Sequence, residues 1–218
     1  MLAIIAAMKK EADALLCKSV ADNTFTLYGK EITRGKFEGI PYTMILSGVG
    51  KSNAAAATML ALSLGATRIL NIGVAGGLTP KAKIGSVLQI NRAVQFDFDL
   101  SAINHTPVGT LDEYQSPYFS LEKKSDKFLS ATLASADRFG CGHEDDAVLQ
   151  ELGADVRDME GAAIAHIAFA AGVPCFSLKA ISDNAGENSP LEYSENLQTA
   201  LDALTKSLKD IFSEVCDE

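Results

Sequence analysis

The chain has 218 residues, of which 47% are hydrophobic and 22% charged, and its formal net charge is −9. This composition is typical of a globular protein and excludes a disordered chain. The acidic balance gives no long-range attraction for phosphate backbones or anionic lipids, so we expect neither a nucleic-acid nor a membrane partner. The length suffices for one domain, which we predict over residues 1–218.

The four cysteines predict free thiols in a reducing compartment. Cys17, Cys141, Cys175 and Cys216 are widely spaced and form no C-x-x-C pair, so the sequence predicts neither a disulfide framework nor a metal site. The apolar run over residues 1–8 precedes its positive charges and is too short for a secretion signal. No stretch reaches the roughly 18 apolar residues of a membrane helix. We therefore expect a cytoplasmic protein.

Short apolar runs alternate with longer helical patterns, which predicts an α/β fold: one domain with a central twisted mixed β-sheet and helices on both faces. The predicted strands are residues 2–7, 25–28, 31–36, 42–46, 68–72, 86–98, 127–133 (a strand or a helix end) and 175–181. The predicted helices are residues 10–16, 51–64, 145–152, 158–171 and 191–215. Residues 73–77 are predicted as a glycine turn, 38–39 as a hairpin turn and 100–121 as a long surface loop.

Polar residues and glycine turns follow several of the predicted strands. Met8 and Glu11 follow the first strand, residues 47–50 and 73–77 follow two others, and Ser182 with Asp183 follows the strand at 175–181. Ligands of open α/β sheets bind beyond the carboxyl ends of the strands. If these strands are parallel, two carboxylates and two glycine turns converge at one edge of the sheet.

A third carboxylate, Glu160, begins the apolar face of a predicted helix, where an unpaired charge is costly. Each acidic residue also has an ordinary explanation. Glu11 and Glu160 suit the first turn of a helix, and Asp183 suits a cap or a turn. That all three explanations hold together is less plausible than a shared site.

Two nucleotide-binding motifs are incomplete in this chain. Residues 50–52 look like the end of a P-loop, but Ile45 stands where that motif requires a glycine. Asn53 likewise replaces the third glycine of a dinucleotide fingerprint. The sequence therefore predicts neither of these phosphate-binding sites, and it predicts no cofactor.

Five segments together resemble the bacterial 5′-methylthioadenosine/S-adenosylhomocysteine nucleosidases of the purine nucleoside phosphorylase-like superfamily. They are IIAAMKKE (4–11), SGVGK (47–51), NIGVAGGL (71–78), DMEGAAIAH (158–166) and KAISD (179–183). They occur in the same order and at similar separations over nearly the whole chain, and as a set they are specific. The resemblance implies a nucleoside phosphorylase-like fold, a small nucleoside substrate, no cofactor and a homodimer.

The resemblance also implies roles for individual residues. Glu11 would orient or deprotonate the attacking water, Asp183 would protonate or hydrogen-bond purine N7, and Glu160 would accept hydrogen bonds from the ribose hydroxyls. The other implied contacts are Met8, Met159, Val74, Gly76, Ser182 and Lys179 around the nucleoside, Phe139 stacked on the base, the Gly140 backbone at the purine edge, and Tyr193 with Ile103 of the partner subunit at the 5′-substituent. Carboxylates suit a reaction that builds positive charge on the sugar and negative charge on the departing base.

Two positions depart from the family pattern: Val74 stands where serine is usual, and Lys179 where arginine is usual. The first change removes a hydroxyl, and the second keeps the charge but loses the bidentate fork. Similar Met-Glu-Gly and Gly-Val-Ala-Gly-Gly segments occur in futalosine hydrolases. The departures therefore leave the substrate open, and the expected reaction is release of adenine from 5′-methylthioadenosine, S-adenosylhomocysteine or 5′-deoxyadenosine.

Two other functions compete with hydrolysis. A phosphorylase needs a cationic site for phosphate, and Glu11 would repel that anion where phosphorylase relatives carry an arginine. Arg138 and Arg157 are the remaining candidate phosphate ligands. A non-catalytic nucleoside binder is disfavoured because simple binding does not need three buried ionisable groups.

Overall fold

The structure is a computed structural model that describes residues 1–123, 126–140 and 142–216. Its strands are β1 (Leu2–Ala6), β2 (Val20–Leu27), β3 (Lys30–Phe37), β4 (Ile40–Leu46), β5 (Arg68–Gly77), β6 (Val87–Gln95), β7 (Tyr118–Ser120), β8 (Leu129–Ser135), β9 (Val156–Asp158) and β10 (Cys175–Asp183). Its helices are α1 (Lys9–Leu16), α2 (Lys51–Ser63), α3 (Ser101–Asn104), α4 (Asp146–Glu151), α5 (Gly161–Ala170) and α6 (Ser189–Cys216).

The strands form one mixed sheet whose middle strands β4, β1, β5 and β10 are parallel. β10 also pairs with β6, and the sheet returns to β5 through β8 and β9, so these five strands close into a ring. The hairpin of β2 and β3 extends the sheet beyond β4. The parallel arrangement confirms the condition on which convergence of the polar residues depended.

Helices cover both faces of the sheet, as the sequence predicts. Alternate residues of β1 point to opposite sides, so Ile5 packs with α2 and α5 whereas Ile4 packs with α1 and α6. Both isoleucines are completely buried. A strand buried on both faces is why residues 2–6 read as a continuous apolar run.

The mixed α/β sheet fold is confirmed, and several local predictions are corrected. Residues 73–77 are not a turn, because β5 continues through them and pairs with β9 and β10. The helix predicted from residue 158 begins at Gly161, because Asp158 belongs to β9. The loop predicted at 100–121 contains α3 and also β7, which pairs with β6. The extent of the domain, residues 1–218, stays a prediction.

Cys17 and Cys175 are free thiols, and Cys141 lies outside the described residues. No helix among the described residues is long and apolar enough to cross a membrane.

Candidate active site

A cavity of about 250 Å³ opens at the carboxyl ends of the parallel strands. Most of the residues that the sequence nominated line it. They are Met8, Glu11, Val74, Gly76, Phe139, Gly140, Met159, Glu160, Ser182, Asp183 and Tyr193. The convergence predicted from strand ends is therefore present in the fold.

Glu11 lies in the first turn of α1, and backbone amides hold its carboxylate in place. Oε2 accepts hydrogen bonds from Ala7 N (3.1 Å) and Met8 N (2.9 Å), and Oε1 accepts one from Val74 N (2.8 Å). The side chain is 4% exposed. Burial raises the pKa of Glu11, although the nearby charge of Lys179 and the backbone hydrogen bonds oppose that rise. A carboxylate held this rigidly, with a raised pKa, suits a general base.

Glycine at position 73 is required by the approach of Glu11 to β5. A Cβ on Gly73 would lie 2.7 Å from Oε1 of Glu11 and 3.3 Å from Nζ of Lys179. Both distances are shorter than ordinary van der Waals contact, so a larger residue would displace the carboxylate. Gly73, the first glycine of the run at 73–77, thus makes room for the side chain of Glu11 and is not part of a turn.

Glu160 precedes α5 and is 8% exposed. Its Oε1 accepts a hydrogen bond of 2.8 Å from Gly50 N at the start of α2. Burial, followed by the negative charge of Asp158, raises the pKa of Glu160 to about 7. The amides at the start of its own helix are bound instead by Asp158, which accepts hydrogen bonds from Glu160 N (3.2 Å) and Gly161 N (3.0 Å).

Asp183 ends β10 and is held within its own turn. Its Oδ2 accepts a hydrogen bond of 2.8 Å from Ser182 Oγ, and its Oδ1 accepts one of 2.9 Å from Ala185 N. A Cβ on Gly76 would lie 2.8 Å from Oδ1. Glycine at position 76 therefore lets the carboxyl group of Asp183 lie over β5.

Aromatic and thioether side chains form the apolar wall of the cavity. The rings of Phe139 and Tyr193 meet edge to face with centroids 5.8 Å apart, and Tyr193 Oη donates to Met8 Sδ at 3.5 Å. Phe139 is 43% exposed, so its ring offers a flat apolar surface. Aromatic rings of this kind stack on flat heterocycles.

Two nominated residues do not line the cavity. Ile103 is 73% exposed on α3, and its contribution to a partner subunit's site stays a prediction. Lys179 lies behind the cavity wall, where its Nζ pairs with Asp158 Oδ2 at 2.9 Å. The resemblance places Lys179 around the nucleoside, but in the fold its ion-pair partner is Asp158 and it does not line the cavity.

Arg157 and Asp158 are the cavity-lining residues that sequence reasoning undervalued. The sequence marks Asp158 only as the first residue of the segment 158–166, and Arg157 only as a candidate phosphate ligand. Both belong to the three-residue strand β9, whose length is too short to produce a detectable period. Among the described residues, no group of His, Cys, Asp and Glu side chains is arranged to hold a metal ion.

Comparison with known proteins assigns the chain to a family. The family model of the phosphorylase superfamily matches residues 1–213. An aminodeoxyfutalosine nucleosidase of Campylobacter jejuni is 30% identical, over 89% of this chain and 90% of the relative. A 5′-methylthioadenosine/S-adenosylhomocysteine nucleosidase of a Marinomonas species is 29% identical, over 90% and 91%.

Solved structures agree with that assignment. The futalosine hydrolase of Helicobacter pylori superposes with a TM-score of 0.90 at 28% identity, covering 98% of this chain and 97% of that one. A 5′-methylthioadenosine/S-adenosylhomocysteine nucleosidase of the same species, bound to butyl-thio-DADMe-Immucillin-A, has the same score, identity and coverage. The chain belongs to the phosphorylase superfamily, in which it groups with the nucleosidases, the N-glycosyl hydrolases.

Proposed function

We propose that the chain hydrolyses the N-glycosidic bond of a 5′-substituted purine nucleoside, with 5′-methylthioadenosine and S-adenosylhomocysteine as its first candidate substrates and 5′-deoxyadenosine as a further one. The observation that supports this function is the convergence of Glu11, Glu160 and Asp183 on one cavity beside the flat ring of Phe139. The three carboxyl groups come from three separate parts of the chain.

In the proposed reaction, Glu11 takes a proton from a water molecule as the water oxygen bonds to C1′ of the sugar. The bond from C1′ to purine N9 breaks, and its electron pair leaves with the base. Asp183 stabilises that base by donating a proton or a hydrogen bond to N7. Glu160 binds the ribose hydroxyls, and its charge favours the oxocarbenium-like transition state.

Hydrolysis is favoured over phosphorolysis by the charges around the cavity. The site of the attacking group lies at Glu11, whose carboxylate would repel phosphate. Of the arginines named as candidate phosphate ligands, Arg138 donates two hydrogen bonds to Asp145, and Arg157 has one nitrogen, Nη2, directed at the same carboxylate, 3.1 Å from Oδ2. We therefore propose water as the acceptor of the ribosyl group.

A second candidate substrate is aminodeoxyfutalosine, because relatives from Campylobacter and Helicobacter are named aminodeoxyfutalosine nucleosidases. The structures of nucleosidases with bound nucleoside analogues support a small-molecule nucleoside ligand. A homodimer in the cytoplasm, with Ile103 of the partner subunit near the 5′-substituent, completes the proposal. Light scattering, which gives the mass of the protein in solution, tests the dimer when it is applied to the wild type and to Ile103→Asp.

The deciding experiment measures base release from methylthioadenosine, S-adenosylhomocysteine, 5′-deoxyadenosine and aminodeoxyfutalosine, each with and without phosphate. We expect release that does not depend on phosphate and that yields the free sugar. Release that requires phosphate, with a sugar 1-phosphate as product, would show a phosphorylase. No release from any of these nucleosides, or from inosine and guanosine, would favour the non-catalytic binder.

A further inference from the structure

Arg157 is a buried cation placed beside the region of the cavity that contains Asp183. It pairs across β9 with Gly76 of β5, and Gly76 pairs on its other side with Asp183 of β10. Neighbouring strands are about 4.8 Å apart, so the backbones of Arg157 and Asp183 are roughly 10 Å apart at one level of the cavity. Their side chains can therefore reach neighbouring atoms of one bicyclic ring.

The guanidinium group of Arg157 lies against the backbone of Gly140. A Cβ on Gly140 would lie 2.5 Å from both Cζ and Nε of Arg157, closer than any real contact. Arg157 is 5% exposed, yet it lines the cavity next to Phe139 and Gly140. Glycine at position 140 thus creates the space that the guanidinium occupies.

The hydrogen-bonding capacity of this guanidinium is not used up by the protein. Nη2 is buried and forms an ion pair with Asp145 Oδ2 at 3.1 Å, but among the described residues this nitrogen makes no well-aligned hydrogen bond. Asp145 is bound by both Nε and Nη2 of Arg138. Two guanidinium groups therefore share this one carboxylate.

A buried arginine can only donate hydrogen bonds, so a ligand beside it must offer an acceptor. On the edge of a purine that carries N7, a 6-oxopurine presents two acceptors, O6 and N7, and arginine is well suited to that pair. Adenine presents its 6-amino group there, which is a donor and cannot satisfy the guanidinium. The chemistry of Arg157 therefore favours a carbonyl at the 6-position.

We propose that Arg157 recognises the carbonyl oxygen of a 6-oxopurine, so that the enzyme hydrolyses hypoxanthine nucleosides as well as adenine nucleosides. This inference rests on the proposed function, since it concerns the base in the same cavity. Asp183 donates a proton or a hydrogen bond to N7 of either base. Arg157 adds a contact that only the 6-oxopurine can use.

The test compares 5′-methylthioadenosine with 5′-methylthioinosine, which differ only at the base. The wild-type enzyme hydrolyses both. In Arg157→Met, kcat/KM falls by about 10- to 100-fold for methylthioinosine, the usual cost of losing a hydrogen bond to a charged donor. The fall for methylthioadenosine is smaller, because adenine makes no such bond, so the ratio of kcat/KM for methylthioinosine to that for methylthioadenosine decreases. Arg157→Met keeps Asp145 paired with Arg138, and thermal unfolding checks that the variant folds.

Two further variants make the result specific to Arg157. Arg92→Met removes a cation that lies outside the cavity, over the ring of Tyr118, so the ratio of kcat/KM for the two substrates stays at its wild-type value. Gly140→Ala forces the guanidinium aside and lowers that ratio in the same direction as Arg157→Met. Equal effects of Arg92→Met and Arg157→Met would show that only the net positive charge of the protein matters, and would overturn the proposal.

The outcomes separate this inference from the proposed function. If the wild type releases no base from either substrate, both are wrong. If it releases adenine but no hypoxanthine, or if Arg157→Met leaves the ratio unchanged, the inference alone is wrong. If Arg157→Met instead lowers kcat/KM for S-adenosylhomocysteine more than for methylthioadenosine, the guanidinium binds the carboxylate of the 5′-substituent. The assignment of Arg157 to the base is then overturned.

Discussion

Lys179 and Asp158 form an ion pair of 2.9 Å in which the two side chains are only 3% and 2% exposed. Asp158 also binds the backbone amides at the start of α5, next to Glu160. Burial alone would lower the pKa of Lys179, but Asp158, Glu11 and Glu160 together raise it, so the ammonium group stays charged. One cation thus stabilises three buried carboxylates, all of which line the cavity.

Removal of this cation is expected to destabilise the fold. In Lys179→Met, Asp158 loses its partner in a buried environment, and the free energy of unfolding falls by about 3–5 kcal/mol. Denaturant titration measures the loss. The matched control is Lys9→Met, which breaks an exposed ion pair with Asp13 and costs less than about 1 kcal/mol. Similar losses in the two variants would contradict a structural role for the buried pair.

Glu11→Gln is expected to abolish most turnover without abolishing binding. Glutamine is nearly the same shape, and its amide oxygen can still accept the hydrogen bond from Val74 N. It cannot accept a proton from water, so kcat falls by about 10²- to 10⁴-fold. Calorimetric titration with a non-hydrolysable nucleoside analogue, beside the kinetic assay, separates the two effects. Retained turnover would move the role of general base to another group.

Glu160 is expected to make stability depend on pH in a defined direction. Its pKa is raised from an ordinary 4.5 to about 7 in the folded protein, so the folded protein binds this proton more tightly than the unfolded chain does. Its stabilising contribution is therefore complete below pH 4.5 and is lost as the pH rises through 7. Glu160→Gln cannot titrate. The wild type should lose on the order of 3 kcal/mol relative to this variant across that range.

Chemical denaturation of the wild type and Glu160→Gln at several pH values measures this difference. Because other carboxylates titrate in both proteins, the difference between the two curves isolates Glu160. Parallel curves across that range would show that the carboxyl group has the same proton affinity in the folded and unfolded chains.

Gly73→Ala is expected to disturb the site more than its size suggests. The added methyl group would lie 2.7 Å from Oε1 of Glu11, so the carboxylate must move away from Val74 N. We expect a fall in kcat of at least about tenfold and a loss of about 1–3 kcal/mol in stability. Gly142→Ala is the control, because a Cβ there meets no atom within 4 Å. Equal activity in the two variants would show that Glu11 adapts.

The sequence predicted the convergence of the three carboxylates better than it predicted the local structure around them. Glu11, Glu160 and Asp183 could be placed together because apolar runs mark buried strands and parallel strands end at one edge. The glycines at 73–77 were read as a turn because glycine usually breaks strands. Here Gly73 and Gly76 remain in β5 to admit the side chains of Glu11 and Asp183, a contact between distant segments that no local pattern encodes.

The electrostatic partners could not be predicted for the same reason. Asp158 lies in a three-residue strand and was assigned to the helix that follows it. Its pairing with Lys179 depends on the order β8–β9–β5–β10 around the ring, which sequence patterning does not specify. The packing of Arg157 against Gly140 likewise requires the register between β9 and β5.

Closure of the ring by β10 also sets when the enzyme can become active during its synthesis. β10 pairs with β5, and Ser177 bonds to Asn71, 106 residues earlier in the chain. A nascent chain emerging at about 5–20 residues per second therefore presents Glu11 well before, and Glu160 shortly before, it delivers Lys179 and Asp183. Until then the carboxylates have no buried cation beside them, so the cavity of the partly synthesised protein is not yet assembled.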